Sequence, residues 1–170
     1  ECFSFPVEKV RDTLVHIEEY EEISECVILS TCNRTEMYAA VADVEEALPI
    51  MRSIFERMAV KKLDQCDYMF HYSNDDCIRH LFQVASSLDS LIIGEGQILS
   101  QVKQAYAIAR GTGATSTVLN TLFNRAIAVG KKVRTETYIA YNAVSISYAA
   151  VELTKNIFKN LSEISVLVLG

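Results

Sequence analysis

Hydrophobic residues along the chain recur with a helical period in some segments and with a strand period in others. Val10 and Leu14 lie one helical turn apart on the apolar side of residues 6–19, which predicts an amphipathic helix. Residues 26–31 and 36–42 are short, mostly apolar runs separated by a polar segment, as in the two strands of a hairpin. The chain therefore begins with a predicted helix and a predicted β-hairpin.

The rest of the chain is predicted to be mainly helical, so the fold class is α+β. In chain order, the further predicted elements are a helix at residues 43–60, a strand at 67–72, a helix that starts at residue 73 or 74 and carries His80, helices at 97–110, 117–133 and 142–159, and a strand at 164–169. The glycines at positions 111 and 113 separate two of the long helices.

The predicted hairpin turn carries reactive residue types. Its sequence, residues 30–34, is Ser-Thr-Cys-Asn-Arg. A cysteine at a hairpin tip is accessible, and Arg34 places a positive charge two residues from Cys32, which is the setting of a reactive thiol. Asn33 suits a turn because its side chain tolerates left-handed backbone geometry. The alternative is an ordinary hairpin that happens to contain a cysteine.

Composition and charge narrow the possible classes of protein. Half of the residues are hydrophobic and the net charge is −6, but residues 96–135 carry six basic and no acidic side chains. Such a region can bind phosphates, or its bases can lie on separate, solvated helix faces. The five cysteines form no CxxC pair, which favours reduced thiols in the cytoplasm over a disulfide framework or a metal site. No apolar run reaches the roughly 20 residues of a membrane span, so no membrane contact is expected.

A second motif lies in residues 80–103, where an apolar helix reaches a break at Gly94 and Gly96 and a new helix begins. Together with the Thr-Cys-Asn-Arg turn, this segment resembles the catalytic domain of glutamyl-tRNA reductase. The similarity continues through GKKVRTET at residues 130–137, AVSISYAAVEL at 143–153 and VLVLG at 166–170. It covers nearly the whole chain in the order of the family.

The resemblance implies a ferredoxin-like βαββαβ plait, with its first strand missing here, and an attached helical bundle. It divides the chain into a catalytic glutamyl-tRNA-binding domain at residues 1–141, a linker helix at 142–163 and the first strand of a truncated Rossmann domain at 164–170. The NADPH site would then lie beyond Gly170. The whole protein is expected to be a homodimer that passes its product to an aminomutase, the next enzyme of the pathway.

The implied reaction is the NADPH-dependent reduction of glutamyl-tRNA to glutamate-1-semialdehyde, the first step of tetrapyrrole synthesis. The family's nucleophile corresponds to Cys32, and the residue that recognises the substrate carboxylate corresponds to Arg34. His80 corresponds to an important histidine, although an isolated histidine on an apolar helix is more often a core residue. The other positions that match the glutamate pocket are Thr31, Asn33, Ser90, Glu95, Gly96, Gln97 and Gln101.

The sequence departs from the family at two positions, and two other functions are compatible with it. Ser87 and Asn142 stand where the family usually has glycine, which can alter a tight backbone approach. A noncatalytic tRNA-binding module would need the basic helices but not Cys32. A thiol redox sensor would need Cys32 but not Arg34 with the polar residues after it.

Overall fold

The helices and strands follow one another much as the sequence predicts. The computed structural model describes residues 4–59, 69–90, 92–140 and 146–158, together with residues 165 and 167. The elements are α1 (Val7–Val15), β1 (Ile23–Ser30), β2 (Thr35–Val41), α2 (Val44–Ala59), α3 (Asn74–Ala85), α4 (Gln97–Gly111), α5 (Thr117–Glu136) and α6 (Ile146–Ile157), with single 3₁₀ turns at Ile17–Glu19 and Tyr138–Ala140.

Strands β1 and β2 form an antiparallel pair whose last paired residues, Ser30 and Thr35, flank the cysteine turn. From Cys26 to Leu29 every residue of β1 is buried, whereas β2 is mostly half-buried. Helix α4 packs on β1, and the backbone amide of Cys26 donates to the carbonyl of Ala114 at 2.8 Å. Strand β1 is therefore held by its pairing with β2, by the packing of α4 and by the hydrogen bond to the Ala114 carbonyl.

Three aromatic rings connect the hairpin to the helices. Tyr38 of β2 meets Phe123 of α5 edge-to-face, with ring centroids 5.4 Å apart, and Phe123 stacks on Tyr106 of α4 at 5.6 Å. Phe123 is fully buried. Aromatic pairs in these geometries contribute about 1 kcal/mol each beyond their buried area. The strand beneath the turn is thus anchored in the core.

A buried carboxylate joins β1 to the start of α5. Glu25 accepts hydrogen bonds from the backbone amides of Ser116, Val118 and Leu119 at 2.7 to 2.9 Å. The first amides of a helix have no partner within the helix, and the helix dipole favours a negative charge there. Glu25 therefore supplies from a distant strand the cap that α5 needs.

Replacement of this carboxylate is expected to destabilise the protein. Glu25→Ala leaves three amides without their acceptor, and we expect a loss of about 3 kcal/mol in the free energy of unfolding. Thermal or denaturant unfolding of the intact protein measures this change. Glu22→Ala, at a neighbouring exposed glutamate, is the matched control. A loss below about 1 kcal/mol for Glu25→Ala would contradict the capping role.

Helices α3 and α5 approach each other at Gly130. A Cβ atom at this position would lie 2.4 Å from the carbonyl oxygen of Ala85, closer than real Cβ contacts come. Glycine is therefore required for the two backbones to meet, because any side chain would separate the helices. The contact sets the distance between α5 and the helix that carries His80.

Most of the helices and both hairpin strands predicted from the sequence are present in the structure. The first helix, the hairpin and the helices at 97–110 and 117–133 are confirmed with small shifts of their ends. Asp43 caps α2 through its Oδ1, which accepts from the amides of Glu45 and Glu46 at 2.8 and 3.2 Å. The helix predicted at residues 142–159 appears as α6 in the described part of that range.

The strand predicted at residues 67–72 is wrong for its described part. Residues 69–72 belong to no helix or strand and pair with no strand among the described residues. The alternation instead reflects two aromatic side chains on one side of the chain. The rings of Phe70 and Tyr72 lie 5.2 Å apart between centroids, and both pack against His80. An aromatic contact thus produces the same alternation as a sheet would.

The described sheet has two strands, so the full ferredoxin-like plait stays a prediction. The strand predicted at 164–169 lies outside the described residues except for residues 165 and 167. Within the described part of the chain, no helix is both long enough and apolar enough to cross a membrane.

Candidate active site

The loop between β1 and β2 is held by one hydroxyl group. Thr31 Oγ1 accepts from the backbone amides of Asn33 and Arg34 at 3.2 and 3.0 Å and lies 3.2 Å from the Arg34 carbonyl, to which it can donate. The amide of Thr31 donates to the same carbonyl at 2.8 Å. The backbone amides of Thr31, Asn33 and Arg34 are therefore satisfied within the turn itself.

Cys32 and Asn33 are exposed at the tip of this loop. The expectation of left-handed backbone at Asn33 is wrong, because Asn74 and Ser87 are the non-glycine residues with positive φ in the described part of the chain. The Thr31 hydroxyl closes the turn, so a left-handed residue is not needed. The thiol is accordingly presented to solvent on an unstrained loop.

Arg34 lies between two carboxylates. Its Nη1 donates to Glu36 Oε1 and to Asp89 Oδ2, at 3.1 Å in each case. Its Nη2 donates to the backbone carbonyl of Asp89. The Arg34 and Glu36 side chains are largely buried, whereas the Asp89 side chain is 52% exposed. The guanidinium is thus fixed beside the cysteine loop with its fork occupied by protein groups.

His80 joins the same network from α3. Its Nε2 lies 2.9 Å from Glu36 Oε1, and its Nδ1 lies 3.8 Å from Asp89 Oδ2. The ring packs against Phe70 and Tyr72, with centroids 5.8 and 5.0 Å away. His80 is buried, yet it is neither a simple core residue nor a free surface base.

Glu36 is the centre of the network, and its ionisation follows from its partners. Burial tends to raise the pKa of this carboxyl, but hydrogen bonds from His80 and Tyr38 and the positive charges of His80 and Arg34 bring the pKa below its ordinary value. Tyr38 donates to Glu36 Oε2 at 2.6 Å. An ionised Glu36 only accepts hydrogen bonds, so the His80 Nε2 that faces it carries a proton.

The segment between α3 and α4 carries the next predicted residues. Ser87 is buried with φ +60°, a left-handed conformation in which glycine costs least, so the glycine that the resemblance leads us to expect here would suit this backbone. Its hydroxyl instead donates to Ser90 Oγ at 3.2 Å. The structure therefore places Ser90 beside Asp89 at the edge of the network.

Gly94 supports the other end of this segment. Its φ is +85°, and a Cβ there would lie 2.0 Å from the carbonyl oxygen of Ile139. Arg134 Nη1 donates to the Gly94 carbonyl at 3.0 Å. Position 94 therefore tolerates only glycine, and Arg134 serves the turn rather than a ligand.

The remaining predicted residues lie around the start of α4. Glu95 is half-buried, Gly96 and Gln97 are exposed, and a Cβ at position 96 would lie 3.1 Å from the Arg134 guanidinium. Gln101, one turn further, lines a cavity of about 120 Å³ together with Ser30. The structure thus joins Arg34 and His80 through Glu36, and Ser90 follows Asp89 in the chain, while Gln101 approaches the hairpin from its other side.

The basic residues of positions 96–135 divide into two groups. Arg110, Arg125, Lys131 and Lys132 are exposed, while Lys103 and Arg134 are half-buried. Arg125 and Lys132 lie seven residues apart on α5 and so share a helix face. Lys132 also lies 3.8 Å from Glu136, a weak surface pair.

Sequence reasoning missed Glu36, Tyr38 and Asp89. Glu36 and Tyr38 share a face of β2 with Arg34 because strand side chains alternate with a period of two, and that alternation was the available signal. Asp89 immediately precedes Ser90, but an aspartate in a polar segment gives no indication of its partner.

The described residues offer neither a metal cluster nor a dinucleotide site. No three His, Cys, Asp or Glu side chains within the described ranges are arranged to hold a metal ion. The described sheet is an antiparallel pair without the strand, glycine-rich turn and helix that hold a pyrophosphate. The residues at hand therefore do not fit NADPH.

Comparison with known proteins identifies the family of this chain. Residues 1–137 match the family model described as glutamyl-tRNAGlu reductase, N-terminal domain. The whole chain is 46% identical to 38% of the glutamyl-tRNA reductase of Pelotomaculum thermopropionicum and 41% identical to 38% of that of Bacillus subtilis.

The solved glutamyl-tRNA reductase of Methanopyrus kandleri is similar with a TM-score of 0.69 and 35% identity, over 89% of this chain and 37% of that one. The chain thus spans about 38% of the length of these curated relatives. The chain belongs to the glutamyl-tRNA reductase family and corresponds to its amino-terminal domain.

Proposed function

We propose that this domain transfers the glutamyl group of glutamyl-tRNA to Cys32, and that the whole protein reduces the thioester to glutamate-1-semialdehyde at the start of tetrapyrrole synthesis. The observation that carries the proposal is the exposed Cys32 on a loop closed by Thr31, next to the Arg34–Glu36–His80 network. Arg34 and His80 match family positions, and Glu36 explains how both are held.

The first chemical step is an acyl transfer. The Cys32 sulfur attacks the carbonyl carbon of the aminoacyl ester, a carbon–sulfur bond forms, and the bond to the ribose oxygen breaks. The thiol proton leaves sulfur, and the ribose oxygen of the released tRNA gains one, so the step is balanced. Arg34 is the group that suits the substrate's side-chain carboxylate, because its planar fork can bind both oxygens.

His80 is proposed to handle the proton of this step. Its Nε2 is committed to Glu36, so Nδ1 is the nitrogen that can accept a proton and later release it. Glu36 stabilises the imidazolium that forms and keeps the ring in one orientation. The aromatic packing of Tyr72 and Phe70 limits water on the other face of the ring.

The reduction needs residues outside the described part of the chain. When bound, NADPH supplies the hydride that converts a thioester to an aldehyde. We propose that its site lies beyond Gly170, that residues 1–141 form the catalytic domain, that residues 142–163 link the two, and that 164–170 begin the nicotinamide domain. In this proposal Thr31, Asn33, Ser90, Glu95, Gly96, Gln97 and Gln101 surround the glutamyl group.

The exposed bases of α4 and α5 support contact with tRNA. Arg110, Arg125, Lys131 and Lys132 are free of the site network and can approach phosphates, which bind in a salt-dependent way. We further propose a cytoplasmic homodimer that delivers its aldehyde to an aminomutase. A redox sensor is disfavoured because it has no use for an arginine and a histidine that share one glutamate.

Label transfer tests the proposed function. The intact protein is incubated with glutamyl-tRNA labelled in the glutamyl group, without NADPH, and the Cys32 peptide is analysed by mass spectrometry. We expect the label on Cys32 and an equal amount of deacylated tRNA. Binding of tRNA without transfer would support the noncatalytic module, and absence of both would leave the redox sensor.

A further inference from the structure

The arginine proposed to bind the substrate's carboxylate already holds a carboxylate of its own chain. Arg34 Nη1 donates to Asp89 Oδ2 at 3.1 Å, and Nη2 donates to the Asp89 backbone carbonyl. This is a two-point contact on the fork that recognises carboxylates. Asp89 therefore occupies the position that a glutamyl side chain needs.

The two acidic partners of Arg34 are not equally free to leave. Glu36 is 10% exposed and is also bound by His80 and Tyr38. Asp89 is 52% exposed, and besides Arg34 its carboxylate has only the more distant His80 Nδ1, at 3.8 Å, among the described groups. Solvent can replace the contacts of Asp89 but not those of Glu36, so Asp89 is the partner that an incoming anion displaces.

The backbone around Asp89 fits such an exchange. The residue lies in the non-helical stretch between α3 and α4, bounded by left-handed residues Ser87 and Gly94. Regular backbone hydrogen bonds of a helix or strand do not hold Asp89 in the described segment. A change in the Asp89 side chain therefore need not break an element of the fold.

We propose that Asp89 is an internal ligand of Arg34, and that an anionic substrate side chain binds by displacing it. For the glutamyl group as the natural ligand this rests on the proposed function, but the competition between carboxylates does not. The exchange favours substrates with a carboxylate, because a neutral side chain cannot replace the negative charge that leaves Arg34 when Asp89 is displaced. Asp89 is thus a specificity-determining residue that acts through Arg34.

Two thiol reagents of similar size test this inference on the intact protein. Iodoacetate carries a carboxylate and iodoacetamide does not. With either reagent the Cys32 sulfur bonds to the methylene carbon and iodide leaves. The rates at the Cys32 peptide are measured by mass spectrometry in the wild type, in Asp89→Asn and in Asp75→Asn, an exposed aspartate of α3 that serves as control.

We expect Asp89→Asn to raise the ratio of the iodoacetate rate to the iodoacetamide rate at Cys32 at least about fivefold, because the fork of Arg34 then attracts the anionic reagent. Asp75→Asn should leave the ratio unchanged. Asp89→Glu, which keeps the charge, should stay near the wild-type ratio. The buried Cys26 should stay unlabelled in every variant, which shows that the fold is intact.

A ratio in Asp89→Asn within twofold of the wild type would overturn the inference, as would an equal rise in Asp75→Asn or Asp89→Glu. If Asp89→Asn makes Cys26 reactive, the substitution has disturbed the fold, and Asp89→Ala is measured instead. A wild-type rate ratio in Asp89→Ala, with Cys26 still unlabelled, would equally overturn the inference. The reagents need neither tRNA nor NADPH. A shifted ratio without glutamyl transfer would reject the proposed function alone, and transfer with an unshifted ratio would reject the role of Asp89 alone.

Discussion

Cys32→Ser is expected to lower semialdehyde formation by the intact protein by at least about 10³-fold, because a serine hydroxyl is not ionised near neutral pH and attacks an ester poorly without a strong base. Cys32 is exposed and the loop is closed by Thr31, so the substitution removes no packing. The melting temperature should stay unchanged. Single-turnover assays with glutamyl-tRNA measure the loss, and the covalent adduct should disappear from the Cys32 peptide.

Cys77→Ser provides the matched control for this substitution. Burial and the nearby charge of Glu36 raise the pKa of the Cys77 thiol, which makes it a poor nucleophile. We expect activity within about twofold of the wild type. Cys26 is no rival either, since burial raises the pKa of its thiol to about 12. Semialdehyde output that survives Cys32→Ser would exclude the proposed thioester.

Glu36→Gln is expected to reduce kcat/KM by about 10²-fold through the two residues that Glu36 holds. A glutamine can keep only one oxygen acceptor, whereas Glu36 accepts from Arg34, His80 and Tyr38. The amide nitrogen would face either Tyr38, which donates to Oε2, or Arg34 and His80, which both donate to Oε1. A neutral amide also binds a guanidinium and an imidazole more weakly than a carboxylate does, so Arg34 and His80 would lose their orientation while Cys32 stays in place.

The pH dependence of stability provides a second readout for Glu36. Because the pKa of Glu36 is lower in the folded protein, its contribution to stability is fully present above the ordinary pKa of 4.5 and is lost as the pH falls through the folded pKa. The stability difference between wild type and Glu36→Gln should shrink as the pH falls below about 4.5.

Denaturant unfolding at a series of pH values measures this difference. Glu45→Gln, at an exposed glutamate in the first turn of α2, is the control and should show no comparable pH dependence. Equal kcat/KM values for Glu36→Gln and the wild type would contradict a positioning role. A stability difference that grows toward acidic pH would contradict the lowered pKa.

Local patterns were sufficient for the hairpin and most helices. The ends of β1 and β2 lie near the predicted ones because the apolar runs are interrupted by a turn that Thr31 closes within four residues. Helices α4 and α5 were predictable from their apolar spacing and from the glycines between them. Each of these features depends on neighbours in sequence.

The contacts that define the site depend on distant residues. Glu36 and His80 are 44 positions apart, and Arg34 and Asp89 are 55 positions apart. Cys32, Arg34 and His80 could be singled out from residue type and family resemblance, but not the carboxylates that hold them. The wrong prediction of a strand at residues 69–72 also reflects a distant contact. An alternating pattern looks the same whether the residues pair in a sheet or, as here, two aromatic rings pack against His80.

The contact between Gly130 and Ala85 has a consequence for engineering the domain. The two main chains touch at this point, so no flexible side chain lies between the helices. The position of the His80 ring therefore does not depend on the side chains on the outer faces of α3 and α5. Changing the charge of the solvent-facing positions of α5 to alter affinity for a polyanion should therefore leave the position of the His80 ring unchanged.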